Sequence, residues 1–217
     1  MTGTDTGVGK TFVTGCCLAH LLRSAKKARA LKPFCSGERT DALLLWELQK
    51  QRIPLESINP FYFKKPVAPW TAARAEKKSI TLADARHAIE AQTRECDFLL
   101  IEGAGGLLSP LGENFNAADL IVQLGCEVIL VAGNRLGVLN HTLLSVEALT
   151  RRGIRGIKIA LIDIAAPDLA SQSNEKDLRS LCPAIPLVRL PFVPNYKPEA
   201  PFFENAAVNL DVAGLLE

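Results

Sequence analysis

The sequence predicts an α/β fold: one domain over residues 1–217, a three-layer sandwich in which helices cover both faces of a mostly parallel sheet. Three observations carry that expectation. Apolar runs alternate with segments of helical period along the whole chain, the pattern of a sheet buried on both faces. A run of small residues, Gly3-Thr4-Asp5-Thr6-Gly7-Val8-Gly9-Lys10-Thr11, opens the first helical segment. A length of 217 residues suits one such domain, and no repeat, low-complexity stretch or break in composition divides it.

Residues 11–24 are the helix that follows the small-residue loop, and 29–34 read as a strand ended by Pro33. Residues 41–51 combine an acidic first turn with leucines at 43, 44, 45 and 48, an amphipathic helix. Four prolines and three aromatics make 54–69 a structured loop. The pattern Thr81-Leu82-Ala83-Asp84 starts a helix over 81–95. Residues 97–102 (Asp-Phe-Leu-Leu-Ile-Glu) are a buried strand that stops at Gly103-Ala104-Gly105-Gly106. Strands at 127–132 and 158–162 flank a helix over 138–152, and a short strand at 186–190 and a helix near 204–216 complete the order. A loop of the 3–11 type normally follows a buried strand. Only Met1 and Thr2 precede it, so the first strand is expected to be missing from the N-terminus.

The net charge of +2, from 25 basic and 23 acidic residues, is close to balanced. Arg23, Lys26, Lys27 and Arg29 make a short cluster that reads as a solvated helix end, so nothing points to nucleic acid. The cysteines at 16, 17, 35, 96, 126 and 182 have no C-x-x-C spacing and lie in apolar stretches, as reduced buried thiols do. His20, His87 and His141 have no zinc-ligand spacing to them. No signal peptide or membrane-length apolar run is present. A soluble, cytoplasmic chain is expected, with no membrane or nucleic-acid partner.

The chemistry starts at the loop. Small residues let consecutive backbone N–H groups curl around an anion; Lys10 then reaches the outer phosphates and the Thr11 hydroxyl is placed for Mg²⁺. This makes the fold P-loop NTPase-like. Five residues separate Gly3 from Gly9, one more than the usual spacing. Glu102 ends an apolar strand; alone it is a solvated strand-end acid, and beside a phosphate loop it becomes a metal ligand. Asp41 reads equally as an acid stabilised by the dipole of the helix it starts or as a second ligand. Lys32 closes a strand and would project into the crevice beyond the strand ends, where ligands of open α/β sheets bind. An ammonium there could hold an anionic substrate or stabilise charge in phosphoryl transfer. Ser36 could donate a hydrogen bond to a ligand or simply form a turn, and Asn140 is an ordinary first-turn helix residue. Composition and periodicity stop at an Mg²⁺-dependent nucleotide-binding α/β protein.

The loop at 3–11, Lys32-Pro33, Ser36-Gly37, Asp41, Glu102-Gly103-Ala104-Gly105-Gly106 and Leu136-Gly137-x-x-Asn140-His141 together resemble the dethiobiotin synthetases, from the first residues to about Val193. The resemblance implies an ATP-dependent ligase of biotin biosynthesis. It would form dethiobiotin, ADP and phosphate from 7,8-diaminononanoate (diaminopelargonate), CO₂ and ATP. It further implies catalytic roles for Lys32 and Lys10, Mg²⁺ held by Thr11, Asp41 and Glu102, and substrate contacts from Ser36, Lys32 and Asn140, the last across a homodimer interface. Nucleotide contacts are implied for Thr6, Gly7, Val8, Gly9, Lys10, Thr11, Phe12, Asp41, Glu102, Gly103, Ala104, Gly105, Ile162, Asp163, Pro191, Phe192 and Val193.

The chain also departs from that pattern. Only four residues separate Ser36 from Asp41. Ile162-Asp163 stands where many relatives carry Asn-Asp, and isoleucine cannot hydrogen-bond a base, so weak base selectivity is expected. Pro69-Trp70 replaces a frequent Pro-His. Two other classes share the fold. Amidotransferase-type synthetases usually carry a second domain, for which 217 residues leave no room. Partition or site-selection ATPases place an early lysine in the loop, where this chain has Thr4-Asp5, and often add a basic amphipathic tail that 209–217 does not supply.

Overall fold

The computed structural model describes residues 1–94, 96–194, 196–206 and 210–216. Strand β1 (Thr2–Gly3) leads through the glycine loop into helix α1 (Lys10–Arg23). Strand β2 (Ala28–Leu31) is interrupted at Lys32-Pro33, where proline offers no N–H to a ladder, and resumes as β3 (Phe34–Ser36). The single strand expected over 29–34 is therefore two. Helix α2 (Thr40–Leu48) follows. The proline-rich stretch read as a loop contains a helical turn, α3 (Leu55–Ile58), and a strand, β4 (Phe61–Phe63), that pairs parallel with β3. Its Phe61 ring stacks on Phe34 with centroids 4.8 Å apart, a contact made only in the folded chain.

Helix α4 (Pro69–Ala75) starts on its proline, a residue suited to the first helical position. Helix α5 (Leu82–Glu90) opens with the expected capping box between Thr81 and Asp84. It ends at Glu90, short of the expected 95; residues 91–94 are turn and irregular backbone instead of helix, and residue 95 lies outside the described residues. Beyond strand β5 (Phe98–Ile101) come a small hairpin, β6 (Pro110–Gly112) with β7 (Phe115–Asn116), and helix α6 (Ala117–Leu124). Strand β8 (Val128–Asn134), helix α7 (Val138–Arg151), strand β9 (Ile157–Asp163), helix α8 (Asn174–Leu181), strand β10 (Leu187–Leu190) and helix α9 (Ala200–Ala206) complete the order. The expected C-terminal helix near 204–216 is thus α9, starting at Ala200, and a separate 3₁₀ turn at Ala213–Leu215; residues 207–209 lie outside the described residues.

Strands β1, β8, β9 and β10 form a parallel sheet in that order, and β2 pairs parallel with β5. The two groups meet at Met1, whose amino group donates to the Ile101 carbonyl at 2.7 Å and whose carbonyl accepts from the Gly103 N–H at 2.9 Å. The order across the molecule is β2-β5-β1-β8-β9-β10. The first strand, expected to be missing, is present as two residues in the middle of this array, with Thr2 opposite Leu130 and Gly3 opposite Val131. Because β1 is so short it covers only the end of β5, and Phe98–Ile101 is half-buried instead of buried as expected.

Alternate residues of the central strands feed different cores. Val131 and Ala160 pack with Val13 and Cys16 of α1, whereas Ala132, Ile159 and Leu161 pack with Val138 of α7 and Leu178 of α8. Helices on both faces follow from this alternation. Cys16, Cys17, Cys35 and Cys182 are buried free thiols, while Cys96 and Cys126 are half-buried. Burial pushes Cys16 and Cys17 up to about 12, which keeps both as inert thiols. Among the described residues no helix is long and apolar enough to cross a membrane.

The outer edge of β2 is closed by a side chain. Gln49, at the end of α2, accepts from the Ala30 N–H (3.1 Å) and donates to the Ala30 and Leu45 carbonyls (3.0 and 2.8 Å). Its amide thereby replaces a neighbouring strand. Gln49→Leu is expected to destabilise the fold by about 2 kcal/mol, because buried backbone groups lose their partners. A urea melt of the two proteins measures it; an unchanged midpoint would show that water serves Ala30 equally well.

Candidate active site

The glycine loop is positioned by β1 behind it and α1 ahead of it. Gly7 and Gly9 adopt positive φ, 73° and 96°, and Gly9 is the N-cap of α1 with no side-chain capping bond. The first amides of α1 are thus left for an anion, where the helix dipole also favours negative charge. Lys10 is buried and its ammonium folds back onto the Asp5 carbonyl at 2.9 Å. Burial first, and the Lys32 charge second, push Lys10 down to about 8.

Two strand ends and a helix start bring the remaining charges together. Glu102 follows β5 and is fully buried, its N–H tied to the Leu31 carbonyl at 2.8 Å. Its Oε1 accepts from the Thr11 hydroxyl at 2.7 Å and from the Lys32 ammonium at 2.5 Å. Lys32 also pairs with Asp41 Oδ2 at 2.8 Å and donates to the Gly103 carbonyl at 3.3 Å. Asp41 lies in the first turn of α2. Burial alone would lower the Lys32 pKa, but the Glu102 and Asp41 carboxylates outweigh it and hold the ammonium above the usual lysine range. Burial would likewise raise Asp41; Lys32, Thr11 and Lys10 outweigh that and hold it below the usual carboxylate range.

Two atoms here are buried without a partner: Oε2 of Glu102 and Oγ of Ser36. An orphaned carboxylate oxygen beside a hydroxyl and a second carboxylate is a hard-oxygen donor set that suits Mg²⁺. Among the described residues no three His, Cys, Asp or Glu side chains gather. Mg²⁺ does not need them, since it commonly takes one or two carboxylates with phosphate oxygens and waters.

Two cavities meet at the loop. The larger, about 850 Å³, is lined by Lys10, Thr11, Lys32, Ser36, Asp41 and Glu102, with Ala104 and Gly105 on its rim. The second, about 450 Å³, is lined by Val8, Arg135, Ile162, Asp163 and the segment Pro191, Phe192 and Val193. Thr6, Gly7, Gly9, Phe12 and Tyr196 border both, so the loop is their shared wall. Within the second cavity Ile162 packs under the loop: a Cβ on Gly9 would lie 2.6 Å from Ile162 Cδ1. Asp163 is engaged by Asn134 (2.8 Å) and Arg189 (3.0 Å). Gly103 bonds Met1 through its N–H, while Asn140 is exposed on the first turn of α7 and lines neither cavity.

Several contributors escape sequence reasoning. Asn59, almost fully buried, donates to the carbonyls of Lys32 (2.8 Å) and Pro33 (3.2 Å) and accepts from Arg39 Nε (2.8 Å), clamping the backbone from which Lys32 projects. Ser109 accepts from the Gly106 N–H at 2.9 Å and shapes the turn after Glu102. Tyr196 stands edge-on to Phe12, centroids 5.3 Å apart, at the junction of the cavities. An asparagine between Ile58 and Pro60 was the one visible signal, since a polar residue in such a setting needs partners.

A family model described as an AAA domain matches residues 1–200. The ATP-dependent dethiobiotin synthetase BioD of Anaeromyxobacter dehalogenans is 42% identical over 201 residues, 90% of each chain. That of Bacillus licheniformis is 40% identical over 197 residues, 87% of this chain and 82% of its own. That of Thermodesulfovibrio yellowstonii is 32% identical, with coverage of 100% and 97%. Among solved structures, the MinD cell division protein of Aquifex aeolicus superposes with a TM-score of 0.58 at 15% identity, covering 98% of this chain and 88% of its own. Cobyrinic acid a,c-diamide synthase of Mycobacterium smegmatis, with bound ATP analog and magnesium, gives 0.52 at 13% identity, covering 94% and 90%. At such identities the two structures speak for the fold.

Proposed function

The chain belongs to the ATP-dependent dethiobiotin synthetase family, and on that premise we propose that it closes the ureido ring of dethiobiotin from 7,8-diaminononanoate, CO₂ and ATP. The observation that carries the reading is the convergence of Lys10, Thr11, Lys32, Asp41 and Glu102 on one 850 Å³ cleft beside the phosphate loop. One substrate amine takes up CO₂ and loses a proton, giving a carbamate. The carbamate oxygen attacks the γ-phosphorus and ADP leaves. The second amine then attacks the carbonyl carbon of the mixed anhydride, closing the ring and releasing phosphate.

Carbamate and γ-phosphate are both anions, so their approach needs cations between them. Lys10, anchored at the loop, would hold the β- and γ-oxygens, and Lys32, on the facing wall, the carbamate and the transferring phosphoryl group. Mg²⁺ held by Thr11, Asp41 and Glu102 would neutralise phosphate charge. The unpartnered Ser36 hydroxyl would bind the substrate. Asn140, outside both cavities of one chain, would reach the substrate carboxylate of a neighbouring protomer, which makes a homodimer part of the proposal. Mass spectrometry of a reaction with diaminononanoate and bicarbonate is expected to show dethiobiotin in step with ATP consumption. ATP hydrolysis without that product would overturn the reading.

The smaller cavity would take the base. Its walls are largely apolar, and Ile162 braces the loop in place of reading a base edge. ATP, CTP and GTP are expected to support turnover within about tenfold of one another, because the Ile162 side chain offers a base no hydrogen bond. A strong preference for ATP in a competition assay would assign base recognition to backbone groups of residues 191–193.

A further inference from the structure

The Lys32 ammonium stands where the donor set for a divalent cation converges. Glu102 Oε1 is 2.5 Å from it and Asp41 Oδ2 2.8 Å, and the Thr11 hydroxyl bonds the same Glu102 oxygen at 2.7 Å. These are the three side chains whose oxygens suit Mg²⁺. An ammonium has three donors, and here they go to Glu102, Asp41 and the Gly103 carbonyl. Buried Glu102 would otherwise be a carboxylate without a counter-charge, which is costly in a protein interior.

Oε2 of Glu102 is the free oxygen a dication would meet first, and a dication that also drew Asp41 and Thr11 into its shell would stand against the ammonium, where like charges repel strongly in a buried site. We infer that Lys32 is a tethered cation occupying the divalent-metal position, and that metal entry exchanges it off Glu102 and Asp41 into the cleft that its side chain already lines. Asn59 and Ile58 fix the Lys32 backbone on both sides, through its carbonyl (2.8 Å) and its N–H (3.0 Å), so the exchange is a movement of the side chain alone. The acidic site stays neutralised before loading, and the lysine is released toward the phosphates only once a metal has taken its place. The inference rests on the metal-binding part of the proposed function and is independent of the organic substrate.

The test is binding of Mn²⁺ alone to the full chain, followed through the electron paramagnetic resonance signal of the free ion. Lys32→Met and Lys32→Gln are each expected to bind Mn²⁺ at least about tenfold more tightly than the unmodified protein, since the internal competitor is gone. Adding Glu102→Gln to either variant is expected to abolish the gain. Lys32→Gln keeps a neutral donor at the site and serves if Lys32→Met folds poorly without metal. Equal or weaker binding in the variants, or a gain that survives Glu102→Gln, overturns the exchange. Dethiobiotin formation by the unmodified protein, scored separately, tells that failure from a failure of the proposed function.

Discussion

Lys32→Ala is expected to lower the turnover number for dethiobiotin formation by two to three orders of magnitude, the loss typical of removing one group aimed at developing charge. The ammonium is buried, projects from a clamped backbone and lines the same cleft as Lys10 and Thr11, so no other described cation on that wall can take over. The loss should fall mainly on turnover, because the charge matters most when carbamate and phosphoryl group meet. Metal affinity should move the opposite way in the same variant. That combination separates a charge placed for chemistry from one that merely neutralises Glu102. Rates within threefold of the unmodified enzyme would reduce Lys32 to a structural counter-ion.

Gly9→Ala is expected to weaken ADP binding by about ten- to a hundredfold, measured by isothermal titration. Two costs add. A φ of 96° lies where an L residue is strained by roughly 1–2 kcal/mol. The new methyl would also approach Ile162 Cδ1 to 2.6 Å, forcing the loop or that side chain to move. The two terms separate in a double-mutant cycle. With Ile162→Ala in the background the contact disappears and the backbone strain stays, so part of the affinity should return. Full affinity in the single variant would mean that the loop reorganises on binding and that its unliganded shape is unimportant.

Much of the fold was legible because it rests on local signals. Helix α1 follows from the glycine loop and α5 from the Thr81–Asp84 box, and β8 and β9 are largely apolar runs. What escaped was decided by partners remote in sequence. The β3–β4 pair joins Phe34 to Phe61, and prolines around it masked the strand. Helix α8 is polar enough to pass for a loop, and it is fixed by the packing of Leu178 and by bonds from Asn174 to Asn134 and Arg135, far away in sequence. Helix α6 was readable in principle, since Asn116 and Asp119 form a capping box and Gly125 closes its end with φ 59°.

The candidate site divides in the same way. Lys10, Thr11, Lys32, Asp41 and Glu102 stand at strand ends or helix starts, and topology alone sends such positions to one crevice. Gln49, Asn59 and Ser109 act on backbone groups tens of residues away or shape a turn, and no spacing rule announces them. Trp70 is half-exposed on α4 with the Arg74 guanidinium 4.9 Å from its ring, and nothing in the structure explains why it stands there.

The Asn59 clamp has a consequence in time. With the carbonyls of Lys32 and Pro33 held from the side, the lysine has no hinge beneath it, and only its own methylene torsions can carry the charge across. Rotamer flips of exposed side chains take roughly picoseconds to nanoseconds and loop or domain closures microseconds to milliseconds, whereas a buried, doubly paired ammonium moves only as its ion pairs open. The positive charge therefore waits on metal entry, the event that opens those pairs. In such a site the arrival of the cation sets the clock for the lysine, and no loop or domain closure has to precede it.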